Sequence, residues 1–90
     1  MTKKVDAWMP VQIGPYVAAT GHLTTTEHGM YFLLMMHAWN HGGALPADLE
    51  RWRNIVRADQ KQWAASRDTI VDFWTQQEDG TWRQIGRAHV

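Results

Sequence analysis

The sequence predicts a mainly α-helical domain with a small β-hairpin, arranged as a winged helix-turn-helix. Three observations predict this class. A strongly signalled apolar helix follows Thr24, two further helical segments are joined by a four-residue turn, and an Asp79-Gly80 dipeptide separates two short aromatic segments. Because the chain has 90 residues, we expect one domain with a single core.

Composition limits the possible functions. The chain has no cysteine, which excludes disulfides and thiolate-bound zinc, and nine basic residues balance nine acidic ones. The longest apolar stretch, residues 30–36, is far shorter than the roughly 20 residues that cross a bilayer, and no apolar run follows the N-terminal lysines. We therefore expect a soluble cytoplasmic protein without a membrane partner. Any binding of nucleic acid must come from a local patch.

The N-terminal part predicts an extended arm. We expect residues 1–6 to be disordered and the winged-helix-like domain to span residues 7–84. Residues 7–16 contain two prolines and a glycine, which disfavour a helix interior and favour an extended arm or edge strand. One short helical turn from Val17 can end at Gly21, where a left-handed residue reverses the chain.

The first long helix carries the clearest local signal. With Thr24 as the N-cap, Glu27 falls at the third helical position, the spacing of a capping box. Apolar residues then cover nearly every direction around the axis, so we expect other elements to enclose this helix. Glycines at 42 and 43 predict its end.

Two more helices and a hairpin complete the predicted domain. The second helix spans residues 47–56 and the third runs from the N-cap Asp59 to about Phe73. The predicted inward positions are Leu49, Trp52, Val56, Trp63, Ile70 and Trp74. If Asp79 and Gly80 form a two-residue loop, Trp82 faces Gln77 on the same side as Phe73 and Thr75.

The last six residues have a second explanation. Residues 85–90 can be encoded as ATC GGA AGA GCA CAC GTC, which matches the opening of a widely used sequencing adaptor. We therefore expect read-through at the end of a metagenomic gene fragment, which excludes residues 85–90 from the native fold. The alternative is an ordinary C-terminal strand.

DNA binding is the leading functional hypothesis. The third helix would enter the major groove, where amides and guanidinium groups can contact base edges, while arginines of the second helix and the wing would meet phosphates. The candidate residues are Arg51, Arg53, Arg57, Gln60, Lys61, Gln62, Arg67 and Arg83. Asp68 and Asp72 on the same helix weigh against it. The alternative is a solvated polar face.

A second hypothesis is a module that binds a partner protein or a second copy of itself. Most of the six tryptophans fall at helical spacings that favour core positions. Trp8 lies in the proline-rich arm, and if that arm packs loosely, Trp8, Met9 and Tyr16 could dock a partner chain.

The sequence gives little support for a catalytic site or a metal-binding site. His37 and His41 are four residues apart, which can place two imidazoles on one helix face, but no third ligand is evident, so capping or packing explains them better. Ser66 is the only serine and has no histidine at a helical neighbour position, and no phosphate-binding glycine loop occurs. The sequence therefore predicts a protein without enzymatic activity, cofactor or metal.

The chain also resembles a known family, the YdaU-like prophage domain. The segments that carry the resemblance are Trp8-Met9-Pro10, residues 14–20, His22-Leu23-Thr24, residues 27–31 and residues 39–46. The hairpin around Asp79-Gly80-Thr81-Trp82 is similar to the family's end. The family usually carries acidic residues where this chain has Pro15 and Ala19.

That resemblance implies a winged-helix-like fold and a setting in phage or prophage DNA replication. Duplex DNA and phage or host replication proteins would then be the partners, and the domain could form a homo-oligomer. The family has no established function, so the resemblance assigns no catalytic residue.

Overall fold

The computed structural model describes residues 8–85. Within them the chain forms four helices and one antiparallel hairpin: α1 (Ile13–Ala19), α2 (Thr25–Trp39), α3 (Leu49–Ile55), α4 (Gln60–Val71), β1 (Trp74–Gln76) and β2 (Trp82–Gln84). The predicted class, mainly helical with a small hairpin, is confirmed. The predicted disorder of residues 1–6 and all but the first residue of the predicted adaptor segment lie outside the described residues.

The start and end of α2 follow the local signals in the sequence. The backbone N–H of Glu27 donates to Thr24 Oγ1 at 3.1 Å, and the N–H of Thr24 donates to Glu27 Oε1 at 3.0 Å. This is the predicted capping box. After the helix, Gly42 and Gly43 have φ values of +70° and +92°, a conformation that favours glycine.

One prediction for α2 is wrong in part. Tyr31 and Leu34 are fully buried, but Met36 remains 43% exposed, so other elements do not enclose the helix on every side. The reason is the small number of partners. Helices α3 and α4 both pack against α2, and two helices cannot surround a third.

Helix α1 replaces much of the predicted extended arm. The prediction assumed that Pro15 excludes a helix, but Pro15 is the third residue of α1. The first backbone hydrogen bond of this helix runs from the N–H of Tyr16 to the carbonyl of Gln12, at 3.0 Å. A proline before that point therefore removes no helical hydrogen bond. None of the residues of α1 is buried.

Helices α3 and α4 begin close to the predicted positions. Asp48 caps α3, and Asp59 forms a second capping box with Gln62 at the start of α4. The predicted inward positions hold: Trp52, Val56, Trp63, Ile70 and Trp74 are buried and Leu49 is half-buried. Helix α4 ends at Val71, two residues earlier than predicted, and Trp74 opens β1 instead of lying on the helix.

The hairpin register differs from the prediction by one residue. Trp82 pairs with Gln76 and not with Gln77, because the loop contains Glu78 as well as Asp79 and Gly80. Gly80 has φ +92°, the left-handed position that closes a three-residue loop. The shift turns Trp82 to the other face of the hairpin, where its ring meets that of Trp52 edge to face at 5.5 Å.

A bridge between Leu45 and Trp82 joins the loop after α2 to the hairpin. The two residues exchange backbone hydrogen bonds of 2.9 and 3.0 Å. The order from α2 onward is therefore helix, bridge residue, helix, helix and hairpin. None of the helices between residues 8 and 85 is long and apolar enough to cross a membrane.

The core lies where α2, α3, α4 and the hairpin meet. It consists of Met30, Tyr31, Leu34, Met35, Ala38, Leu45, Trp52, Val56, Ala58, Trp63, Ile70 and Trp74. Burial raises the pKa of Tyr31 to about 12, and its hydroxyl accepts a hydrogen bond of 2.7 Å from Gln84 Nε2. This bond ties the end of the hairpin to the middle of α2.

Candidate nucleic-acid interface

The eight candidate DNA-binding residues lie on α3, the turn after it, α4 and β2. Seven of them are exposed and Arg53 is half-buried. Exposure alone does not make a side chain available, because some of the eight are held by hydrogen bonds within the domain. The structure separates them into an engaged group, a group on α4 and a group beside α2.

Arg53 and Gln62 belong to the engaged group. Arg53 Nε donates to the carboxylate of Glu50 at 2.6 Å, and a guanidinium nitrogen of Arg53 donates to the carbonyl of Ala58 at 3.1 Å. The side chain of Gln62 accepts from the backbone N–H of Asp59 at 3.0 Å. Both side chains therefore fix the turn between α3 and α4.

Arg83 is also engaged. Its guanidinium donates to the carbonyl of Gly42 at 2.9 Å and so connects the hairpin to the loop after α2. The same group packs against Gly43, where an added Cβ would lie only 2.8 Å from it. Binding a phosphate would require Arg83 to exchange this contact for a new one.

The second group comprises Gln60, Lys61 and Arg67 on α4. These side chains are exposed and make no hydrogen bond or ion pair with the part of the chain that the structure describes. Asp68 lies seven residues after Lys61, on the same helix face, and Asp72 caps the C-terminal end. Lys61 therefore lies in the N-terminal half of α4, whereas Arg67 lies in the C-terminal half directly before Asp68.

Arg51 and Arg57 form the third group. Both line hollows against α2, which they share with His37 or its neighbours. Arg57 has φ +61°, and no other non-glycine residue between 8 and 85 has a positive φ. It is the first residue after the C-cap of α3, a position where glycine is usual.

The three residues proposed to dock a partner protein differ in their exposure and contacts. Trp8 is 73% exposed, as the hypothesis requires. Met9 packs against the core, and the Tyr16 hydroxyl lies 2.7 Å from His28 Nδ1 while its ring stacks on Tyr31. Met9 and Tyr16 therefore help attach the N-terminal segment to α2.

Sequence reasoning missed two exposed apolar residues that follow Trp8 in the chain. Ile13 is 77% exposed and Val17 is 62% exposed, and their spacing of four residues places them on one face of α1. The spacing was visible in the sequence, but it has meaning only on a helix, and an extended arm was predicted there.

His37 and His41 contact each other, and they do not belong to a group of described side chains that could bind a metal. Their rings stack at 4.0 Å with an interplanar angle of 12°, and His41 Nδ1 lies 2.7 Å from the carbonyl oxygen of His37. Between residues 8 and 85, no three histidine or acidic side chains are grouped so that they could hold a metal ion.

Two comparisons with known proteins give similarities. The model of a family described as "Protein of unknown function (DUF1376)" matches residues 7–86. The chain is 34% identical over 67 residues to "Uncharacterized protein YdaU" of Escherichia coli strain K12, which covers 74% of this chain and 23% of that protein. The chain thus spans less than a quarter of the curated relative it matches. No solved structure matches.

Proposed function

The chain belongs to the DUF1376 family, described as proteins of unknown function, and we propose that this domain binds double-stranded DNA through the exposed polar side chains of α4. The phage or prophage replication setting implied by the resemblance is part of the same proposal. In that setting the domain would help to place a longer replication protein on its template.

The distribution of charge on α4 supports this proposal. Recognition helices usually contact base edges with their N-terminal residues, and exposed Gln60 and Lys61 lie at that end of α4. Exposed Arg67 lies further along the helix beside Asp68, and Asp72 caps the C-terminal end, so both carboxylates lie away from Lys61 along the helix axis. Ala64 and Ala65 between the polar residues are exposed and small, so they permit close approach to a groove.

Arg57 is the single observation that carries the proposal. A non-glycine residue in the left-handed conformation costs about 1 kcal/mol, which a glycine would avoid. The guanidinium of Arg57 makes no hydrogen bond or ion pair with any described residue that would offset this cost. Arg57 is exposed in the turn that leads into α4, and it can meet the backbone of a duplex that receives this helix.

The test is a titration of a fluorescent DNA duplex with the full chain at two or more salt concentrations. If Arg57, Lys61 and Arg67 each neutralise one phosphate, log Kd rises with log salt with a slope of about 3. The double variant Lys61→Ala/Arg67→Ala should weaken binding and reduce that slope by about 2.

Arg51→Ala is the matched control, because it also removes one exposed arginine but lies beside α2 instead of on α4. Its duplex affinity should stay within about twofold of the wild type after allowance for net charge. An absence of duplex binding at low salt, or equal losses in Arg51→Ala and Arg67→Ala, would overturn the assignment to α4.

The second candidate function is docking of a partner protein, and three exposed apolar side chains of the N-terminal segment favour it. Trp8, Ile13 and Val17 are each exposed over more than half of their surface, and Ile13 and Val17 share one face of α1. The partner would be a phage or host replication protein, or a second copy of this chain.

Sedimentation velocity over a range of concentrations tests self-association. Ile13→Lys/Val17→Lys should shift the chain toward the monomer without loss of stability, because no residue of α1 is buried. Trp8→Ala should do the same, because Trp8 is 73% exposed. If the wild type is monomeric at every concentration, a second copy of this chain is not the partner. If these variants leave duplex affinity unchanged, the apolar residues of the N-terminal segment do not take part in DNA binding.

A further inference from the structure

A groove runs between the C-terminal half of α2 and α3, on the side of the domain that α4 leaves uncovered. It consists of three adjoining hollows with volumes of about 340, 320 and 220 Å³, and His37 lines all three. We call it the His37 groove. Each of the two larger hollows falls in the size range of small-molecule sites.

The His37 groove is positively charged although the whole chain is neutral. Arg51 and Arg57 lie along it, and the lining described for its three hollows contains no aspartate or glutamate. None of the acidic residues between 8 and 85 therefore lines this groove. The guanidinium groups of both arginines are exposed and form no ion pair between residues 8 and 85. Arg57 lines the largest hollow and Arg51 lines the two that adjoin it, and an arginine without a carboxylate partner is suited to phosphate.

The wall of the groove offers a second kind of contact. Met36 is 43% exposed beside half-buried Leu33 and Ile55, so an apolar surface is open to solvent next to the charges. Methionine packs well against flat rings. The side-chain amides of Asn40 and Asn54 border the same hollow, and an amide can both donate to and accept from the edge of a base.

We propose that the His37 groove binds a nucleotide, with its phosphate on Arg51 and Arg57 and its base against Met36 and Ile55. The nucleotide can be a free one or a unit of a single strand, because both present the same phosphate and ring. This inference goes beyond duplex binding by α4. The two proposals share Arg57, so the groove is tested at Arg51, which duplex binding by α4 does not use.

His37 adds a dependence on pH. Burial, then the neighbouring His41, then Arg51 lower the pKa of His37, so the ring is neutral at pH 7. Protonation at lower pH places a further positive charge in the groove. The charge of a phosphodiester does not change over this range, and affinity for a thymidine oligonucleotide should therefore rise as pH falls toward about 5.

The experiment is a nuclear magnetic resonance titration of the ¹⁵N-labelled full chain with three probes: thymidine 5′-monophosphate, a hexathymidylate strand without terminal phosphate, and inorganic phosphate. We expect shifts of the side-chain amide signals of Asn40 and Asn54 with the nucleotide, the strand or both. Whichever binds more tightly identifies the source of the ligand. Inorganic phosphate should bind at least about tenfold more weakly, since it lacks the base.

Arg51→Ala should weaken binding of the nucleotide or strand about tenfold, because it removes a charge-assisted contact. Arg67→Ala is the control with the same change in charge, and it should have little effect here although it should impair duplex binding. His37→Gln should remove the rise in affinity at low pH. Circular dichroism confirms that each variant is folded.

Three outcomes would overturn the inference. These are unchanged Asn40 and Asn54 signals with every probe, inorganic phosphate bound as tightly as the nucleotide, and equal losses in Arg51→Ala and Arg67→Ala. Because duplex binding and groove binding respond to opposite members of this pair of variants, failure of either proposal can be told from failure of the other.

Discussion

The indole Nε1 of Trp52 donates a hydrogen bond of 2.8 Å to the carbonyl oxygen of Pro46. Trp52 is fully buried at the centre of the core, and Pro46 follows the residue that bridges to the hairpin. The bond therefore joins α3 to the loop that carries the sheet contact. Trp74 is also buried, at 4% exposure, but its Nε1 has no acceptor among residues 8–85.

This contrast predicts different costs for two identical substitutions. Trp52→Phe removes the indole N–H, so the Pro46 carbonyl loses its hydrogen bond, and the smaller ring leaves a cavity. The free energy of unfolding should therefore fall by about 2 to 3 kcal/mol. Trp74→Phe also opens a cavity but removes a buried donor that lacks a partner, which should limit the loss to about 1 kcal/mol. Urea denaturation measures both. A larger loss for Trp74→Phe would contradict the assigned hydrogen bonding.

The capping box of α2 predicts a loss of stability in acid. Backbone hydrogen bonding at Thr24 lowers the pKa of the Glu27 carboxyl below its usual value. A group with a lowered pKa stabilises the fold above its unfolded pKa, and that contribution disappears as pH falls through the folded one. Glu27→Gln keeps an acceptor for the N–H of Thr24 but cannot ionise.

The stability difference between the wild type and Glu27→Gln should therefore be present at pH 7 and vanish between about pH 5 and pH 3. Thr24→Ala should cost about 1 kcal/mol at pH 7, whereas Thr25→Ala, at an exposed position without a cap contact, should cost much less. Thermal unfolding followed across pH gives both results, and a difference that persists unchanged at pH 3 would refute the role of Glu27.

Two glycines predict opposite effects of the same change. Gly29 lies in α2 with an ordinary φ and nothing within 4 Å of an added Cβ, so Gly29→Ala should stabilise the fold by about 0.5 to 1 kcal/mol. Gly80 has φ +92° and an added Cβ would lie 3.3 Å from that of Ala47. Gly80→Ala should destabilise by about 1 to 2 kcal/mol in the same urea assay. Equal signs would contradict the assigned loop.

The parts of the fold that the sequence predicted are those with local causes. A capping box needs only two residues three apart, so Thr24 and Asp59 marked their helices correctly. The hairpin register depended on whether Glu78 belongs to the loop, and the dipeptide Asp79-Gly80 fits loops of two or three residues. Pro15 is compatible with α1 only because it lies in the first turn, and the sequence does not show where that helix begins.

The candidate site was predictable in its residue types but not in their availability. Nothing local in the sequence indicates that Arg83 bonds to Gly42, 41 residues earlier in the chain. The His37 groove likewise brings Arg51 beside α2 only once the helices have packed. Long-range contacts of this kind come from the tertiary fold, and helix periodicity carries no information about them.

The conformation of Arg57 predicts that binding and stability can be separated at one position. Arg57→Gly removes the cost of the left-handed conformation, so stability should stay equal or rise by up to about 1 kcal/mol although a side chain is lost. Arg57→Ala keeps the strained backbone and should leave stability near that of the wild type. Both variants should bind duplex DNA about five- to tenfold more weakly, since both lose the guanidinium. Arg57→Lys keeps the charge and should retain most of the affinity at low salt. If Arg57→Gly were clearly less stable, the side chain would have a structural role, and the functional argument from its conformation would no longer stand.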